Sequence, residues 1–126
     1  MRTVITGVPR SGKTTMSEDM SHVRHTDDNM GVGWSQHSEA VSYWFDSPGP
    51  WVIEGVAAVR ALRKWLKRTP TGMPCDTVVY LDREVVPLSK PQAIMASGCN
   101  TIWDEIKGEL SKRGVAITLT RLRRSV

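Results

Sequence analysis

Gly7-Val8-Pro9-Arg10-Ser11-Gly12-Lys13-Thr14 sets two glycines, a lysine and a hydroxyl at the spacing G-x-x-x-x-G-K-[ST], the pattern of a loop that wraps phosphate. The chemistry asks for those residues in that order. Gly7 ends an apolar run with a turn that a Cβ would obstruct, and Gly12 lets the chain close around phosphate oxygens. Successive backbone N–H groups then form an anion nest, backed by the N-terminus of a following helix. Lys13 supplies a mobile positive charge for β and γ phosphates, and Thr14 offers its hydroxyl to Mg²⁺. The expected ligand is a nucleoside triphosphate with Mg²⁺, held by Gly7, Val8, Pro9, Arg10, Ser11, Gly12, Lys13, Thr14 and Thr15.

Such a loop has to leave a buried strand and open a helix. Arg2-Thr3-Val4-Ile5-Thr6 is rich in β-branched residues, and Thr14 to Ser21 contains no breaker. The patterning predicts strands over 3–6, 23–26, 51–54, 77–81 and 115–119. It predicts helices over 13–22 and 35–45, a third after Gly55, and a fourth from Thr101 to Gly114. Ser35 reads as a cap with Glu39 a turn away, and Val41, Trp44 and Phe45 share a face. Asp46-Ser47-Pro48-Gly49-Pro50 is a breaker. After Gly55, Val56, Val59, Leu62, Arg63 and Leu66 recur at helical spacing, with Lys67 and Arg68 suited to the C-terminal dipole. Asp82 to Gly98 holds two prolines and weak periodicity, which predicts an irregular, mobile lid whose cations are Arg83 and Lys90. Thr101 with Asp104 or Glu105 reads as a helix start, Ile102, Ile106 and Leu110 as its buried stripe, and Gly114 as its stop.

Five short apolar strands alternating with helices imply an α/β domain, one parallel sheet covered on both faces. Ligands of such sheets lie beyond the carboxyl ends of the strands. That rule gathers the phosphate loop, Asp27-Asp28, Glu54-Gly55 and Asp82-Arg83 in one region. Asp27 is expected to act as general base toward an acceptor hydroxyl or as a carboxylate on the Mg²⁺ side, the alternative being a turn cap. Asp28 reads as its solvated neighbour. Glu54 is expected to meet Mg²⁺-bound water or substrate, the alternative being a structural hydrogen bond. Arg60, one turn into the next helix, suits an acceptor anion or plain solvent. Trp34 suits base stacking or packing, whereas Trp44, Trp51, Trp65 and Trp103 read as core. His25 and His37 match no metal-ligand spacing.

The 126 residues make one domain, 40% hydrophobic and 24% charged, the balance of an ordinary globule. No long uncharged apolar run predicts a membrane span, and the N-terminus enters a strand directly, which excludes a signal peptide. Cys75 and Cys99 match no zinc spacing and read as reduced thiols, in keeping with a cytoplasmic location. The net charge of +4 suits an anionic substrate without indicating nucleic acid, and Arg121, Arg123 and Arg124 read as a solvated tail.

The Gly7 to Thr15 stretch resembles the G-x-P-x-S-G-K-[ST]-T loop of small P-loop kinases, a group that includes nucleotide and polynucleotide 5′-kinases, gluconate-type kinases and zeta toxins. His25-Thr26-Asp27-Asp28 is similar to the Asp-bearing turn after strand two in that group, and the run into Glu54-Gly55 to its h-h-h-[DE]-G strand end. The resemblance implies a P-loop NTPase three-layer sandwich with sheet order 2-3-1-4-5 and a minimal lid. It also implies that Asp27 activates the acceptor hydroxyl. The implied activity is transfer of the γ-phosphoryl group of ATP to a small acceptor, a nucleoside or nucleoside monophosphate. Two alternatives stand beside it: a polynucleotide 5′-hydroxyl as acceptor, with nucleic acid not favoured as a partner, and an NTP-binding regulatory module with weak hydrolysis.

Overall fold

The computed structural model describes residues 1–8, 22–26, 34–82 and 87–120. Five strands form one parallel sheet: β1 (Arg2–Gly7), β2 (Val23–His25), β3 (Trp51–Glu54), β4 (Thr77–Leu81) and β5 (Ala116–Thr120), in the order β2-β3-β1-β4-β5. Three helices are described: α1 (Trp34–Trp44), α2 (Ala57–Arg68) and α3 (Lys90–Lys112). β1 is central. Thr3 stands opposite Val52 of β3 and Thr77 of β4, so the chain crosses to one side of β1 and later to the other. The expected helix over 13–22 lies outside the described residues.

Alternation along the strands divides the core in two. Val4, Ile53, Val78 and Tyr80 point to the face where α1, α2 and α3 pack, joining Val41, Phe45, Val59, Leu62, Trp103, Ile106 and others. Ile5, Val52 and Leu81 form a second buried cluster on the opposite face. Each fully buried Leu, Ile or Val contributes roughly 1.5–3 kcal/mol through the removal of apolar surface from water. The Tyr80 and Trp103 rings stack at 4.5 Å, and Tyr80 donates its hydroxyl to Asn100 Oδ1 at 2.6 Å. α1 and α2 pack against each other on this face. Their contacts fix the register: Lys64 meets Glu39 at 3.8 Å, Arg68 donates to Ser42 Oγ at 2.9 Å, and Trp65 Nε1 donates to Asp46 at 3.0 Å.

Two expectations about helices are corrected. Ser35 lies inside α1, which already begins at Trp34. More of the chain is affected further on: 90–98, expected as part of an irregular lid, forms the first turns of the 23-residue α3, and Thr101 sits in mid-helix with its hydroxyl donating to the Ser97 carbonyl. The reason is local chemistry at Ser89. Its hydroxyl accepts from Gln92 N at 3.3 Å, the Gln92 side chain accepts from Ser89 N at 3.0 Å, and Pro91 occupies the first turn. That is a reciprocal capping box with proline where no N–H is needed. The C-terminal stop falls where expected. Gly114, at φ 99°, follows α3, and Val115 N donates to the Leu110 carbonyl while Gly114 N donates to that of Ser111.

Cys75 and Cys99 are both free and buried. Burial pushes the Cys75 thiol from 9.0 up to about 12. The folded pKa exceeds the unfolded one, so the associated stability is present below the ordinary thiol pKa and is lost as pH rises toward the folded value. At about pH 8, native Cys75 should therefore resist iodoacetamide and should react once denaturant is added, which mass spectrometry of the modified peptide reads directly. Rapid native labelling would contradict the described burial.

Candidate functional site

The carboxyl end of β1 is shaped by backbone constraints. Gly7 has φ 148°, and a Cβ there would run into the Leu81 carbonyl of the neighbouring strand. The next residue, Val8, is buried and donates its N–H to that same carbonyl at 3.0 Å. The chain therefore leaves the sheet in a conformation that glycine alone adopts without strain. Of the expected phosphate loop, Gly7 and Val8 are described; Pro9, Arg10, Ser11, Gly12, Lys13, Thr14 and Thr15 lie outside the described residues, as do Asp27, Asp28 and Arg83. The stacking role expected of Trp34 also lies outside them.

At the end of β3, Gly55 has φ 140°, and a Cβ on it would collide with Thr26 Oγ1, in the residue after β2. Its carbonyl accepts the Thr6 hydroxyl at 2.8 Å, and its N–H donates to the Ile5 carbonyl at 3.1 Å. Gly55 thus ties together the ends of β1, β2 and β3. Glu54, directly before it, is 1% exposed. Its Oε1 is hydrogen-bonded to His25 Nδ1, and the two residues are register partners at the ends of adjacent strands. Glu54 Oε2 is buried and has no hydrogen-bond partner among the described residues. A buried polar oxygen kept from water without a donor costs roughly 1–3 kcal/mol, so such an atom calls for a functional reason.

Arg60 is half-buried on α2 and turned toward α3, where Nη1 lies 3.6 Å from Cys99 Sγ. A Cβ on Gly98 would come within 3.2 Å of its guanidinium, so the small residue leaves room for it. Burial, then the nearby Cys99, Asp82 and Asp104, raise the Tyr80 pKa, while Arg60 pulls it down. Arg60 is thus electrostatically coupled to the carboxyl end of β4. It lies on the face of the sheet where α1, α2 and α3 pack, whereas alternation along β3 points Glu54 to the opposite face. The structure does not bring these two expected site residues together. Lys90 is the exposed first residue of α3 rather than part of an irregular arm.

Two histidines gain a place that the sequence reading withheld. His25 joins Glu54 through parallel register, a relation between strands that neither segment encodes alone. His37 is 1% exposed, and its Nε2 has no partner among the described residues. A signal for its burial was available, since His37, Val41 and Phe45 recur at i, i+4, i+8 on the inner face of α1.

Two features test whether the described residues suit a metal-bound polyphosphate. Glu54 Oε2 is a hard anionic oxygen of the kind that Mg²⁺ or its water shell takes. Gly7 lets the backbone turn out of the central strand where a side chain would block it. Both fit. No cluster of three or more metal-ligating side chains occurs among the described residues. No helix among them is long and apolar enough to cross a membrane. No family model matches the chain, and no curated protein matches it.

Proposed function

We propose that this chain is a P-loop kinase that transfers the γ-phosphoryl group of ATP to a small acceptor, a nucleoside or nucleoside monophosphate. One observation carries the reading. The G-x-x-x-x-G-K-T motif begins at the carboxyl end of the central strand, where the sheet order reverses and α/β sheets bind their ligands. The buried Glu54 carboxylate stands at the end of the adjacent strand. Mg²⁺, when bound, would neutralise charge on the phosphate oxygens. Lys13 would bind the β and γ phosphates, and the Thr14 hydroxyl would be offered to the metal. Asp27 would accept the proton of an acceptor hydroxyl as its oxygen attacks the γ-phosphorus and the bond to the β-phosphate oxygen breaks, with ADP leaving. Glu54 Oε2 accepts a hydrogen bond from water of the metal's shell or from substrate. Arg60, held against α3, offers its charge to an anionic acceptor from the other side. Catalysis in this scheme is positioning and charge neutralisation.

The test is a radiolabelled ATP screen against nucleosides, nucleoside monophosphates and 5′-hydroxyl oligonucleotides. Label is expected in a nucleoside or monophosphate. Lys13→Ala should abolish transfer or weaken ATP binding in calorimetry while leaving the circular dichroism unchanged. Normal binding and normal turnover in Lys13→Ala would overturn the phosphate-loop reading. Label confined to oligonucleotides would move the acceptor class to polynucleotide ends.

A further inference from the structure

We infer that His25 is a positioning residue for Glu54. It fixes one carboxylate oxygen so that the other, which has no hydrogen-bond partner among the described residues, is presented to the metal-bound nucleotide. The inference rests on the kinase reading above and assigns a role to a residue outside the phosphate loop and the acidic turn.

The Glu54 side chain is 2% exposed, and its partner His25 is 36% exposed at the neighbouring strand end. A polar group so buried needs hydrogen-bond partners. His25 Nδ1 meets Oε1, and Oε2 has no partner among the described residues. With Oε1 as the acceptor, the hydrogen in this bond sits on Nδ1. The backbone makes the pairing obligatory. His25 and Glu54 are register partners, and Gly55, pinned by Thr6, Ile5 and the packing of Thr26, allows β3 no slippage against β2. A rigid donor on one oxygen fixes the rotation of the carboxylate. The second oxygen is then oriented before any ligand arrives. Partners of this kind, one step removed from the metal, commonly change metal affinity by roughly ten- to a hundredfold.

The test compares wild type, His25→Ala, His25→Asn and Glu54→Gln. Asparagine places its amide N–H close to where Nδ1 sits, so it keeps the donor and discards the rest of the ring. Calorimetry would measure ATP affinity with and without Mn²⁺ as the metal probe. His25→Ala is expected to lose roughly ten- to a hundredfold of the metal-dependent gain in affinity, with metal-free ATP affinity unchanged, and His25→Asn to recover most of it. Imidazole ¹⁵N spectra of the ligand-free protein should show the proton of His25 on Nδ1 in wild type and redistribution toward Nε2 in Glu54→Gln. A full metal-dependent gain in His25→Ala would overturn the inference, as would a His25→Asn variant no better than His25→Ala, since that pattern means ring packing. A wild-type chain that binds no ATP under either condition would overturn the kinase reading and this role together. A wild type that binds metal–ATP tightly beside an indifferent His25→Ala would overturn this role alone.

Discussion

Asp27→Asn should slow phosphoryl transfer by roughly 10²- to 10⁴-fold, the usual scale of general-base assistance. The substitution keeps size and hydrogen-bonding shape and removes only the base. Donor affinity should change little, because the loop that begins at Gly7 follows β1, while Asp27 follows β2 on the far side of β3. If the acceptor is itself a phosphate, no hydroxyl of ordinary basicity needs activation, and the loss appears in acceptor affinity or metal dependence. If the chain is a nucleotide switch, no acceptor is labelled and the substitution alters slow hydrolysis at most. Donor affinity and transfer rate measured on the same variant separate the three cases. Full transfer activity would leave Asp27 as a turn cap.

Gly55→Ala is expected to destabilise the fold by roughly 2–6 kcal/mol. Two costs add. A side chain at φ 140° occupies a region that is essentially closed to residues other than glycine, worth about 1–3 kcal/mol. The new Cβ would also overlap Thr26 Oγ1, and overpacking of a tight site costs about 1–3 kcal/mol more. A loss of that size is a large fraction of the roughly 5–15 kcal/mol that holds a typical domain together. The urea midpoint would fall accordingly. Adding Thr26→Ala should recover the overlap cost but not the backbone strain, so the double variant is expected to lie between wild type and Gly55→Ala. A Gly55→Ala midpoint equal to wild type would mean that the three strand ends are not locked as described. Gly7→Ala has no such rescue, because the obstacle there is the Leu81 backbone carbonyl.

The stakes at Gly55 extend to the chemistry. Glu54 precedes it and His25 faces Glu54, so any shift of β3 against β2 separates the pair. Conditional on folding, a partly stable Gly55 variant should therefore show the same metal-dependent defect as His25→Ala.

Local chemistry alone determined the strand and helix repertoire of this chain. β-Branched runs at 51–54 and 77–81 match β3 and β4 residue for residue. The stripe Ile102, Ile106 and Leu110 is buried, and Gly114 ends its helix. The strand-end position of Glu54 was likewise legible, because it depends on residue types a few positions apart, whereas the phosphate-loop motif lies mostly outside the described residues. The start of α3 was legible in principle too. Ser89 and Gln92 spell a capping box, but the two prolines of that stretch read as breakers, and proline in the first turn of a helix breaks nothing. The sheet order 2-3-1-4-5 came from the family resemblance and not from local pattern, since many orders satisfy the same five strands. Tertiary structure decided the rest. It paired His25 with Glu54 across 29 residues, turned Arg60 toward Cys99 across 39, and buried His37 against a core built from distant segments. The physical reason is common to all three. A side chain's own neighbours set its local conformation, but strand register and helix packing choose which distant group it meets, and those are properties of the assembled sheet.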